Sequence, residues 1–244
     1  MTQTNRSPAR RGLFLTVSAL LFVLSAAATI RWCRIMAAGM TMPGGWTLSM
    51  VWTPMPGKTR LDAVVGFEGM WVAMMAAMML PSLVPTLART RLDVRTSAGY
   101  FAVWAVIGAA VYVVGVGLAA AELRWPALAR TIPIARGVVL VAAGWVQLSL
   151  WKARHLACYR EGCLDVARPG AAWRRGVAMG VHCALCCLPF MALLVVTGMM
   201  NLAVIALMAL AITVERVVRA PALPARFAGL IVIGAGALQI ARAL

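Results

Sequence analysis

Seven apolar runs, each close to the length of a bilayer crossing, divide the chain at about 13–30, 66–87, 98–121, 134–151, 176–198, 200–216 and 226–243. A helix needs roughly 20 apolar residues to cross the hydrocarbon core. Barrel strands would be about ten residues long with alternating polarity, and nothing here alternates. The fold class is therefore all-α, a polytopic transmembrane helical bundle of about seven helices, with six possible. The sixth run is set apart from the fifth only by Met200-Asn201, which implies a tight antiparallel hairpin. Neither repeats nor low-complexity tracts divide the 244 residues, so they read as a single membrane domain.

The first run could be taken for a signal peptide, since basic residues precede it. It continues from Leu13 to Ile30, however, and is closed by Arg31 and Arg34. That length and those flanks favour a retained first helix.

Composition supports the lipid setting. Hydrophobic residues make up 63% and charged residues 12%, with a mean hydropathy of +0.88. The net charge of +16 would suggest nucleic acid in a soluble chain. Here the arginines gather at the ends of apolar runs, where they set orientation, so no nucleic-acid partner is implied. With the N-terminus inside, 15 Lys/Arg fall on the inner side and 8 on the outer. This bias predicts an N-in, multi-pass protein of the bacterial inner membrane, with the lipid bilayer as its first partner.

Two longer connections follow. Residues 31–65 form an outer loop rich in Met, Trp, Pro and Gly, which suits an interfacial flap with Trp46 and Trp52 at headgroup level. Residues 152–175 form an inner loop that carries His155, Cys158 and Cys163.

The chemistry concentrates in "GVHCALCC", Gly180 to Cys187. On a helix, His182, Cys186, Cys183 and Cys187 project from one arc of about 140°. They lie roughly 10–15 Å from the inner face, counting from Arg174 and Arg175. One cysteine here would be a small buried hydrophobe. Three within five residues suit a soft metal site, although packing and a thiol redox centre remain open. An intrahelical disulfide would be strained at these spacings.

A second stretch, "FEGMWVAMMAAMMLPSLVP", places Met70, Met74 and Met78 on one side, with Met75 and Met79 nearby. Methionines on a helix are usually pliable packing. The functional alternative is a thioether relay for Cu(I) through Met75, Met78 and Met79. Two acids, Glu68 and Glu215, fall in or near the membrane, where carboxylates are paired or functional. Glu215 and Arg216 could form an interfacial ion pair. Gln147 and Asn201 are expected to bond between helices.

Several of these segments resemble the DUF2182 family of predicted metal-binding bacterial membrane proteins. They are "AMMLPS", "GWVQLSLWKARHLACYREGC", "RRGVAMGVHCALCC", "MALLVVTGMMN" and the late "ER". The resemblance runs from about residue 70 to the C-terminus. Cys183-Ala184-Leu185-Cys186-Cys187 matches the family's cysteine core, with Leu185 in place of a small glycine and Leu188-Pro189 where an aromatic often stands. Glu215-Arg216 stands where the family typically has Glu-Lys. The resemblance implies metal binding but no reaction.

The resulting expectation is a soft-metal protein acting in transport, sequestration or delivery. Cu(I) is favoured by the methionines, with Zn or another soft metal as the alternative. Cys183, Cys186 and Cys187 are the first ligand candidates, followed by His182, Cys158, Cys163 and Glu215. A metal-donating or metal-accepting protein is a possible partner. A membrane scaffold with packing cysteines and a membrane thiol oxidoreductase are the alternatives. An enzyme is not favoured, since no Ser–His–Asp set, phosphate loop or paired carboxylates can be found.

Overall fold

The computed structural model describes residues 8–36, 39–42, 46–52, 59–87, 94–161, 172–218 and 222–244. Among them are eight α-helices: α1 (Pro8–Ile35), α2 (Arg60–Leu87), α3 (Val94–Arg124), α4 (Pro126–Leu148), α5 (Leu150–Glu161), α6 (Ala172–Thr197), α7 (Leu202–Val217) and α8 (Ala222–Ala243). Six of them, α1 to α4, α6 and α8, are long and apolar enough to cross a membrane. The protein is an all-α polytopic bundle.

The sixth run is real as a helix but short. α7 has 16 residues, below the roughly 20 that a crossing needs. Its start is fixed by the chain itself. Gly198 adopts φ +114°, which L side chains rarely tolerate, and the Asn201 side chain accepts from the backbone N–H groups of Ala203 and Val204. Asn201 is thus a helix cap and not an interhelical link: a short amide just ahead of an apolar run meets unpaired backbone donors first.

Two connections differ from the sequence expectation. The segment 152–175, expected to be a loop, begins within α5. The segment 31–65 carries an antiparallel hairpin, β1 (Gly39–Met42) with β2 (Trp46–Ser49), followed by a 3-10 turn at Met50–Trp52. Trp46 is buried and donates from Nε1 to the Ala129 carbonyl, with the Arg136 guanidinium over its ring at 4.9 Å. Trp52 lies against Gly115 and Phe67. Both indoles therefore seat the hairpin on α2, α3 and α4. A pocket bordered by small residues buries more of an indole than a headgroup layer would.

Glycines set a close contact between α3 and α6. A Cβ at Gly176 would come 2.0 Å from the Thr96 carbonyl oxygen, and one at Gly180 would meet Val103 and the Tyr100 carbonyl at about 3 Å. Four residues apart, the two glycines share a face and let α3 lie directly on α6. The main core then runs between α2, α3, α6 and α7. It includes Met70, Met74, Met75, Met78, Met79, Trp71, Trp104, Cys183, Cys186, Cys187 and Leu194.

Candidate metal centre

α6 presents its thiols to this core. Residues 183 and 187 are one helical turn apart, so their side chains point the same way. Cys183, Cys186 and Cys187 are 0%, 3% and 1% exposed. Cys186 is turned by about 100° from Cys187.

Three other helices close on the Cys183–Cys187 pair. From α3, the Tyr100 hydroxyl lies 2.9 Å from Cys183 Sγ. From α2, Met79 Sδ lies 3.9 Å from the same sulfur. From α7, one guanidinium nitrogen of Arg216, Nη2, donates to Cys183 Sγ at 3.0 Å and to Cys187 Sγ at 2.9 Å. The other, Nη1, donates to Ser82 Oγ at 2.8 Å and faces Met79 Sδ at 3.8 Å. Two thiols and a thioether thus converge on a single cationic group.

A second polar cluster adjoins the first. Lys152 on α5 is 1% exposed, although it is a lysine beside an apolar run. Its Nζ donates to Glu215 Oε2 at 2.6 Å and to Gln147 Oε1 at 2.5 Å, and stands 4.5 Å from the Phe190 ring centre. Gln147 donates from Nε2 to the other Glu215 oxygen, Oε1. Gln147 therefore joins α4 to α7, as its polarity suggested. The Glu215–Arg216 ion pair does not form as expected. Consecutive helix residues diverge by about 100°, so Glu215 turns to Lys152 while Arg216 turns to the sulfurs. With both oxygens engaged, Glu215 serves the helix junction and not the sulfur group.

His182 lies apart from the sulfurs. Its ring centre is 5.6 Å from that of His155, which in turn stacks edge-on with Trp151 at 4.5 Å. Among the described residues, the buried Nδ1 of His182 has no hydrogen-bond partner. Met75 and Met78 are buried in the same core as Met79. The side chain of Cys158 and the whole of Cys163 lie outside the described residues. Glu68 is half-buried beside Trp71 and Gly108, and its buried carboxylate oxygens also lack a partner among the described residues.

The donor set is soft and dry. Among the described residues, no three His, Cys, Asp or Glu side chains are grouped to hold a metal ion. The third donor next to the two thiols is the Met79 thioether. Two thiols plus a thioether suit Cu(I), whereas structural zinc takes four Cys or His ligands. Tyr100, Ser82, Lys152 and the turn of Arg216 toward sulfur escape sequence reasoning. Each depends on a contact between distant segments.

A family model described as PpoB2, a copper chaperone, matches residues 68–239. This stretch includes every residue named at the two clusters. No curated protein and no solved structure shows a significant match.

Proposed function

The chain belongs to the PpoB2 copper-chaperone family, and from that premise we propose that it binds Cu(I) within its helical bundle and delivers it to a partner protein. The convergence of Cys183, Cys187 and Met79 on one buried point carries this reading. Copper is the cargo here, held by thiolates and a thioether, the ligand types that select Cu(I). Cys186 borders the pair and is the next ligand in reach. Met75 and Met78, on the helix that contributes Met79, supply further thioethers along which an ion could pass. The setting is a bacterial inner membrane, with the six long apolar helices as spans. The resemblance to the DUF2182 family, which covers nearly the same residues, also supports a metal role.

The test is elemental analysis of protein purified anaerobically after copper loading. About one copper per chain is expected, with loss of binding in Cys183→Ser/Cys187→Ser. Full copper content in that double variant would refute the site. Normal function without any bound copper would leave the scaffold reading. A thiol count that changed with redox state would instead favour an oxidoreductase.

A further inference from the structure

We propose that His155 and His182 form a second metal position at the edge of the bundle, where copper is exchanged with a carrier before or after it occupies the sulfur site. The inference rests on the copper reading above. Its basis is two imidazoles brought from different helices to a ring-centre separation of 5.6 Å. One of them, His182, has a buried Nδ1 without a hydrogen-bond partner among the described residues.

The separation fits a shared ion. A metal sits about 2.0–2.1 Å from a ligating imidazole nitrogen, and adding the half-width of each ring puts two such ring centres roughly 5–6 Å apart. His155 on α5 and His182 on α6 meet this spacing. Neutral imidazole offers a ring lone pair, and this ligand type suits copper as well as zinc. A buried ring nitrogen without a partner is costly, and a bond to a metal removes that cost.

The place suits exchange. Both histidines are half-buried, whereas Cys183 is fully enclosed. Two protein ligands leave the other positions on the ion open to a ligand from a carrier. Cys186 lies one helical turn from His182 and about 40° round the helix, and Cys183 and Cys187 follow at about 100° and 140°. The α6 surface therefore leads from imidazole to single thiol to thiol pair. Along it Cu(I) moves by ligand exchange. Copper–nitrogen bonds break as copper–sulfur bonds form, the thiol protons leave to solvent, and no electron is transferred. Two imidazoles hold Cu(I) less tightly than two thiolates with a thioether, so purification retains the sulfur-bound ion and washes this one out.

The experiment titrates the full-length protein in detergent with Cu(I) under anaerobic conditions, and X-ray absorption reads the atoms bound to copper. The wild type is expected to take a first equivalent on sulfur and a second, weaker one on nitrogen. Cys183→Ser/Cys187→Ser should keep only the nitrogen-bound equivalent. His155→Ala/His182→Ala should keep only the sulfur-bound one, at wild-type affinity, and should load at least tenfold more slowly. A wild type with sulfur-bound copper alone, or a histidine variant that still takes two equivalents, overturns this inference, leaves the rings as packing and leaves the copper reading standing. Loss of the sulfur-bound equivalent in the histidine variant makes His182 a ligand of the sulfur site and overturns the separate position. A wild type that binds no Cu(I), or binds it only on nitrogen, overturns both readings, since no sulfur site is then fed. If the double histidine variant does not fold, His155→Gln on the short helix α5 carries the test. Loss of the nitrogen-bound equivalent supports the proposal, and its full retention overturns it.

Discussion

Lys152 and Glu215 form an ion pair at 2.6 Å with almost no exposure of either side chain, joining the short helix α5 to the short helix α7. Neither helix is among the six long apolar ones. The pair ties both to the bundle, with Gln147 as the third member.

We predict that breaking this pair from one side is worse than removing it. Lys152→Met should destabilise the protein by about 3–5 kcal/mol, because the Glu215 charge is left buried and alone. The double change Lys152→Met/Glu215→Leu should recover most of that loss. Thermal unfolding in detergent measures both. A double variant no more stable than the single one would contradict this account.

Tyr100→Phe removes one hydroxyl from beside Cys183 and leaves the ring in place. The expected cost is about 0.5–1.5 kcal/mol, the net value of one hydrogen bond. Copper stoichiometry should be unchanged, since Tyr100 is not assigned as a ligand. Metal analysis showing half the copper or less would assign it one.

The methionines can be separated by role. Leucine preserves most of the volume, so Met75→Leu, Met78→Leu and Met79→Leu should each cost less than about 1.5 kcal/mol. Met79→Leu should weaken Cu(I) affinity at equilibrium, because its sulfur lies 3.9 Å from Cys183. Met75→Leu and Met78→Leu should slow copper transfer to an external chelator while leaving affinity near wild type. If all three behave alike, the relay idea fails and they are packing residues.

At the α3–α6 contact, Gly176→Ala places a methyl group against the Thr96 backbone and should destabilise by about 1–3 kcal/mol or more. Gly117→Ala on α3 meets open space and should be neutral or gain up to about 1 kcal/mol. Melting temperatures of the two variants should therefore move apart. If they shift together, the close approach is not what holds these helices.

Orientation is open to direct chemistry. The six basic residues of 152–175 predict that this segment faces the cytoplasm. An impermeant thiol reagent added to intact cells should leave Cys158 and Cys163 unlabelled. Labelling from outside would reverse the assignment.

The helical class was legible because apolar runs of bilayer length have few other uses. The thiol arc was legible because Cys183 and Cys187 are one turn apart on a single helix. What stayed hidden is what depends on partners remote in sequence. Hydropathy marks Lys152 as the start of a loop, yet Glu215, 63 residues later, draws it inside. The adjacent Glu215 and Arg216 read as an ion pair, but helical rotation sends them to different neighbours. The hairpin did leave a trace, since Pro43-Gly44-Gly45 is a turn signal.

The burial of Cys183 has a kinetic side. A sulfur with 0% exposure cannot be struck by an ion or a carrier from solution until neighbouring helices part. Loading then follows the rate of that opening, as amide exchange does in a folded core. Raising the copper concentration should accelerate uptake only to a plateau, and the plateau rate should rise steeply with temperature. On the proposed copper role, release would obey the same limit, and a carrier would have to open the bundle before the ion could leave.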